Sequence, residues 1–194
     1  ILCGDVNPSG RTIDTFVYDL TQTPTANNFG NFNYTNMDEF KASSFGTDTI
    51  PAFVNYVEGI YVGYKFYETA AAEGLIDYDK TVVYPFGRGL SYTTFTQTLN
   101  SVTEADGTIT VDVTVTNTGS ASGKEVVEVY YNPPYTNGGI EKATANLIGF
   151  AKTSELAPGA SENVTVTFQA EDMASYDTYG KGCYVLEKGD YVIS

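Results

Sequence analysis

Carboxylates are the only acids and bases that this chain holds in number. Its 194 residues include 24 Asp and Glu, 10 Lys and Arg and no His, for a formal charge of −14 at pH 7. Without His there is no Ser-His or Cys-His dyad, no His-liganded zinc and no imidazole acid or base. A field this acidic is the reverse of the basic footprint that neutralises phosphates, so nucleic acid is excluded as a partner. Cys3 and Cys183 are too few for a disulfide scaffold or a thiolate metal site. The two could bridge, but they lie in different regions, and buried free thiols suit them equally. Trp is absent, so 16 Tyr and 11 Phe must supply any aromatic surface.

Paired carboxylates about 5–9.5 Å apart are the machinery of glycoside hydrolysis. Asp38-Glu39 and Glu58 are the acidic residues nearest to that description. The first pair reads equally as solvated loop charge, and Glu58 as half of an ion pair with Lys65. No spacing marks a nucleophile and an acid. Asp77-Tyr78-Asp79 offers hard oxygen ligands for Ca²⁺ but lacks the periodic spacing of an EF-hand loop. Pro85-Phe86-Gly87-Arg88-Gly89 has two glycines of a dinucleotide fingerprint. It lacks the third, and β-like sequence follows where a helix is required. Those glycines fit a tight connector better. Tyr130, Tyr131 and Tyr135 around Pro133-Pro134 could stack on a sugar face, though alternating Tyr in a strand more often packs inward. Asn33-Tyr34-Thr35 and Asn163-Val164-Thr165 match the N-glycosylation acceptor pattern. No catalytic, cofactor-binding or metal residue is assigned on these grounds.

The elements that would position such groups fall into two textures. From Thr93 onward the hydrophobic period is two. Ile109, Val111, Val113 and Val115 alternate with Thr110, Asp112, Thr114 and Thr116, the pattern of a half-buried antiparallel strand. Asn117-Thr118-Gly119-Ser120 reads as a turn. Lys124–Tyr131, Leu147–Ala151 and Asn163–Gln169 are further strands, and Phe95, Gln97 and Leu99 begin the set. Met173–Tyr176 is a short turn or helix. Cys183–Leu186 and Asp190–Ile193 read as a closing hairpin around Lys188-Gly189. About seven short strands separated by turns in about 100 residues predict an immunoglobulin-like or fibronectin-like sandwich. A small β-barrel would share these periods. The predicted core is Val111, Val113, Val115, Val127, Val129, Val164, Val166 and Phe168.

Residues 1–92 carry less regularity. Thr12–Leu20 offers one strand, and 21–52 reads as a long irregular loop. Residues 51–67 are dense in aromatics, and Glu68–Gly74 reads as a helix end stopped by Gly74. Aromatic mass with so little period should pack on the sandwich or on a neighbouring domain. It should leave an apolar patch lined by Phe and Tyr of residues 29–67. Ile1-Leu2-Cys3-Gly4 and the closing Gly189–Ser194 both read as interrupted patterns, which predicts a piece excised from a larger protein. No apolar run reaches the roughly 20 residues of a membrane-spanning helix.

Three stretches occur in a telling order: Gly4–Arg11 (GDVNPSGR), Tyr56–Tyr67 (YVEGIYVGYKFY) and Tyr84–Phe95 (YPFGRGLSYTTF). They resemble the C-terminal half of glycoside hydrolase family 3 β-glucosidases. Val115–Gly119, Gly123–Val127, Leu147–Lys152, Leu156–Gly159 and Gly189–Tyr191 resemble that family's fibronectin type III-like domain. Lys65 departs from the Arg that the family often carries there. The resemblance covers essentially the whole chain and divides it at residue 92. Residues 1–92 would be the tail of an (α/β)₆ domain with its connector, and 93–194 the fibronectin type III-like domain.

The resemblance implies a mainly β fold and a retaining, exo-acting parent enzyme. That parent's nucleophilic Asp and acid/base Glu lie in segments outside this one, and no residue here matches a family catalytic motif. The expectation is therefore a non-catalytic portion with a structural or domain-packing role. Its partners would be the barrel and acid/base domain of the parent, a β-linked glycoside through that parent, and a second copy in a homodimer. No cofactor is implied. A secreted or cell-surface setting fits better than a cytoplasmic one. The rival reading is a stand-alone carbohydrate-binding or cell-surface sandwich, which needs a row of aromatics left in solvent.

Overall fold

The computed structural model describes residues 1–28, 32, 42–44, 47–49 and 53–194. Asp38, Glu39 and the Asn33-Tyr34-Thr35 acceptor lie outside them. In chain order the strands are β1 (Phe16–Val17), β2 (Ala42–Ser44), β3 (Thr47–Thr49), β4 (Val82–Tyr84), β5 (Phe95–Ala105) and β6 (Thr108–Asn117). They continue with β7 (Val126–Asn132), β8 (Asn146–Lys152), β9 (Ser161–Gln169), β10 (Ser175–Tyr176), β11 (Tyr184–Val185) and β12 (Val192–Ile193). Helices α1 (Tyr64–Ala72) and α2 (Tyr78–Thr81) precede β4.

Two antiparallel three-stranded sheets, β5-β6-β9 and β12-β7-β8, form the sandwich. β6 alternates buried and half-buried residues along its whole length, as a period of two requires when one face meets a core. Register brings the inward residues of neighbouring strands side by side: Ile109 with Phe168, Val111 with Val166, Val113 with Val164. Val127, Val129 and Tyr131 close the core from the second sheet. All eight predicted core residues are buried. Each buried Val contributes about 1.5–3 kcal/mol relative to exposure. Gly149 of β8 lets the sheets approach: a Cβ there would sit 2.7 Å from a methyl of Val166.

The hairpin between β5 and β6 turns on Asp106-Gly107, with φ of +51° and +80°, the two-residue turn whose twist matches its flanking strands. Phe95 packs on the core, while Gln97 and Leu99 are exposed.

Three expectations are corrected. The closing hairpin around Lys188-Gly189 does not form. β11 pairs instead with β10, and β12 with β7. The Asp177 carboxylate accepts the Gly180 and Lys181 N–H groups at 2.8 Å, and Asp177 N–H donates to the Cys183 carbonyl at 2.9 Å. This folds 177–183 tightly, so β11 returns onto β10, and Gly189 then packs against Pro134 on the way to β7. Asn117 is the buried end of β6 rather than a solvated turn residue. Within 21–52, short 3-10 helices span Leu20–Gln22 and Pro24–Asn28, and β2 pairs with β3.

Helix α1 ends as expected. Gly74 N–H donates to Ala71 carbonyl and Leu75 N–H to Ala70 carbonyl, a Schellman ending with Gly74 at φ +70°. The helix buries Tyr67 and Ala70.

Candidate functional site

The residues that connect the first half of the chain to the sandwich form a polar clamp and an aromatic seam. Asn7 is the first hub of the clamp. Its Nδ2 donates to the Ser122 carbonyl at 2.8 Å, while Oδ1 accepts Tyr92 N–H at 2.8 Å and Ser91 Oγ at 3.1 Å. The side chain fits because residue 123 is Gly, where a Cβ would lie 2.6 Å from Asn7 Nδ2. Four residues on, Arg11 pairs with Glu125, both largely removed from water, and the same Glu125 oxygen accepts Val126 N–H. Thr12 closes the Pro85–Gly89 loop with four bonds. Its N–H reaches Arg88 carbonyl, its carbonyl accepts Gly87 N–H, and its hydroxyl bridges Pro85 carbonyl and Arg88 N–H. Gly87 lies against the Glu128 carboxylate at φ +76°, a backbone conformation that strains any residue with a side chain. The Gly pair of this loop is thus a connector, as expected. Arg88 sits 5.2 Å from the Tyr84 ring centroid, a cation–π contact.

The aromatic seam starts on α1. The Tyr64 ring packs 4.6 Å from Phe86 and edge-on at 6.0 Å to Tyr130, and its hydroxyl accepts Leu147 N–H at 2.9 Å. Thr144 N–H donates to Thr69 Oγ1 at 3.1 Å, and Tyr61 hydroxyl donates to Glu141 at 2.6 Å. Tyr130 hydroxyl donates to Glu128, and Tyr78 to Glu68. Burial, and then the partner carboxylate, push the hydroxyl pKa of Tyr61, Tyr78 and Tyr130 far above the ordinary phenol range. Burial alone lowers the Lys65 ammonium.

A second hub lies just inside the sandwich. Asn117, with no exposed surface, accepts Thr93 hydroxyl at 2.7 Å and Gly119 N–H at 3.1 Å through Oδ1. Its Nδ2 donates to the Ala121 and Leu156 carbonyls, both at 2.8 Å. Buried Lys142 donates to Pro134 carbonyl at 2.5 Å and pairs with Glu187. Asn7, Asn117, Tyr64 and Lys142 carried no periodic signal that reading from sequence alone could single out. Asn117-x-Gly119 was visible, but only as a turn pattern.

The residues considered for chemistry are placed as follows. Glu58 does not pair with Lys65. It accepts Asn28 Nδ2 at 2.8 Å and lines a cleft of about 570 Å³ with Thr21, Pro24, Phe66, Glu73 and Leu75. Asp77 caps α2 and pairs with Lys80 at 2.5 Å, which lowers its pKa. Asp19 is lowered by bonds from Thr21. Both displacements run opposite to that of a general acid. Among the described residues no His, Cys, Asp or Glu cluster could hold a metal ion. Tyr131 is core, Tyr130 belongs to the seam, and only Tyr135 of that trio is exposed. The proposed sugar-stacking row therefore does not form. Cys3 and Cys183 are free and exposed rather than buried. Asn163 stands exposed in mid-strand, accepting from Thr114.

Exposed apolar side chains gather on the first half of the chain. Ile13, Phe16, Tyr18 and Leu20 stand out from the β1 region, and Val54, Tyr56, Val57, Ile60 and Val62 from the run before α1. Of the described aromatics expected to line a patch, Phe32, Phe53 and Tyr56 are exposed, but Tyr61, Tyr64 and Phe66 are half-buried and Tyr67 is buried, so the exposed apolar side chains are chiefly aliphatic. No helix among the described residues is long and apolar enough to cross a membrane.

Two packed antiparallel sheets carrying a clamped α/β appendage define the class, a fibronectin type III-like sandwich. The profile of the "Fibronectin type III-like domain" family matches residues 125–194. Beta-glucosidase A of Butyrivibrio fibrisolvens is 39% identical over 98% of this chain and 22% of its own length. A novel β-glucosidase of Paenibacillus barengoltzii superposes with a TM-score of 0.79 at 38% identity, covering 100% of this chain and 19% of that one. β-Glucosidase 3B of Thermotoga neapolitana gives a TM-score of 0.75 at 35% identity, over 100% and 23%. The chain matches the C-terminal, fibronectin type III-like portion of glycoside hydrolase family 3 β-glucosidases, a non-catalytic part of those larger enzymes. It spans about a fifth of the length of the relatives it matches.

Proposed function

We propose that this chain is a packing and positioning part of a retaining, exo-acting β-glucosidase-like enzyme, with residues 1–92 completing an α/β domain and 93–194 acting as its brace. The single observation that carries this reading is the clamp. Residues 7–12 are bound to residues 122–125 and to the 85–92 connector. The apolar side chains of 13–20 and 54–62 are meanwhile left in solvent. A brace that holds an apolar face outward fits a partner of matching shape, the barrel and acid/base segment of the parent. The β-linked glycoside would be met only through that partner, because double displacement needs two carboxylates across one sugar site.

The test is complementation. The chain alone is expected to show no turnover of nitrophenyl β-glucoside, and turnover should appear on mixing with the separately produced barrel and acid/base segment. Turnover by the chain alone, lost on Glu58→Gln, would overturn the reading. Equal activity of the other segment with and without this chain would also count against it. Binding of soluble glucans by the chain alone would favour a carbohydrate-binding module. A concentration-dependent dimer would make the second copy the occupant of the exposed face.

A further inference from the structure

Asn137 is the one Asn of the chain that is followed by Gly. The pair lies in the loop between β7 and β8, and both residues are exposed. Gly139 N–H donates to the Thr136 carbonyl at 2.9 Å. Gly138 has φ +80°, while Asn137 keeps a negative φ. That combination is a type II turn, with the peptide between Asn137 and Gly138 turned outward. Among the described residues neither the Asn137 amide nor the Gly138 N–H has a hydrogen-bond partner. Bonding between Gly138 N and Asn137 Cγ would close a five-membered ring, and Gly has no Cβ to shield its nitrogen. The related pair Asp106-Gly107 is held differently: Gly107 N–H donates to the Glu104 carboxylate at 2.8 Å. The amides of Asn100, Asn117 and Asn163 are all hydrogen-bonded. Ser, Thr and Val follow them, and their side chains crowd the next nitrogen.

We propose that Asn137-Gly138 is a site of spontaneous imide formation, which converts this loop to Asp and isoAsp forms and loosens the tie between α1 and the sandwich. The Gly138 nitrogen bonds to Asn137 Cγ as the Cγ–Nδ2 bond breaks. Ammonia leaves with the two amide hydrogens and the Gly138 proton. Water then opens the imide. Addition at Cγ restores Gly138 N–H and leaves Asp. Addition at the main-chain carbonyl leaves isoAsp, whose main chain runs through Cβ and Cγ. The Thr136–Gly139 bond restrains the turn, and an exposed turn opens locally. Either product adds one carboxylate, in a cleft of about 570 Å³ that Asn137 shares with Glu73. IsoAsp also adds one main-chain atom. It enters a loop closed by Lys142 Nζ on the Pro134 carbonyl and tied to the first half of the chain by Tyr61–Glu141 and Thr144–Thr69.

The experiment holds the whole chain in warm, mildly alkaline buffer and maps it with trypsin over time. Residues 125–142 form one tryptic peptide holding Asn132 and Asn137. Asn132 is the internal control, because the nitrogen of Pro133 carries no hydrogen. The expected product has NH replaced by O at Asn137, contains more isoAsp than Asp, and takes up methyl groups from an isoaspartyl methyltransferase. Asn137→Gln, which must close a six-membered ring, and Gly138→Ala are each expected to lose the modification over the same interval. Separated by anion exchange, the isoAsp form should melt below both the unmodified chain and Asn137→Asp, which adds the charge alone. An Asn137 that stays intact, or deamidates no faster than another Asn, would overturn the proposal. So would Asp without isoAsp, equal modification of both variants, or an isoAsp form that melts with Asn137→Asp.

Discussion

Asn117 uses every hydrogen-bonding position of its amide in a fully buried site, and that makes it the residue whose loss is felt most sharply. Asn117→Ala strands the Thr93 hydroxyl, the Gly119 N–H and the Ala121 carbonyl, and leaves the Leu156 carbonyl with the Gly123 N–H alone. A cost of about 3 kcal/mol is expected, read from denaturant midpoints at unchanged slope. The three tyrosine–carboxylate bonds set the alkaline limit. Their hydroxyl pKa values are raised in the folded chain, above the value near 10 of an unfolded tyrosine. The protonated form is the one folding favours, so this stabilisation is complete below about pH 10 and is lost as pH climbs beyond it. Melting temperature should fall above that point, and Tyr130→Phe should flatten the fall. A variant as alkali-sensitive as the parent would refute that role for Tyr130. These hubs were hidden from the sequence because a buried amide or phenol leaves no period. Its signal is the set of groups around it, and for Asn117 two of the four, Thr93 and Leu156, come from 24 and 39 positions away.

Strands are where the sequence was most legible. β6 and β9 declare themselves because one face is buried and the other is wet, and register then follows from the pairing of like faces. Val113→Asp would place an unpaired charge among Val111, Val164 and Leu99. It is expected to cost roughly 3 kcal/mol or more, seen as a large loss of melting temperature. A shift of a degree or two would contradict the core assignment. β10, β11 and β12 were misread for a physical reason: each is two residues long, too short to show a period. Their partners were chosen by the Asp177 turn and the Pro134–Gly189 contact. The Asp106-Gly107 hairpin signal was present in the letters and went unused. Along β5 only Phe95 packs on the core, and Gln97 and Leu99 are exposed.

At the scale of the whole molecule, charge and chain order matter more than any one bond. A net −14 on 194 residues repels itself, and screening relieves it. Melting temperature should therefore rise between about 0.01 M and 0.15 M salt at neutral pH, where the Debye length falls from about 30 to 8 Å. A flat or falling response would show that local ion pairs such as Arg11–Glu125 outweigh the general repulsion. The order in which the chain is made adds a further consequence. Arg11 and Glu125 stand 114 positions apart. A ribosome adding about 5–20 residues per second needs roughly 6–23 s to cover that interval. Throughout it, Asn7 and Arg11 have no surface to dock on, and the aliphatic and aromatic side chains of residues 13–20 and 54–62 hang from a tether not yet fastened. The clamp thus makes the first half of this polypeptide wait for the second, and nascent-chain binding proteins should be found on it for that period and released once β7 has emerged.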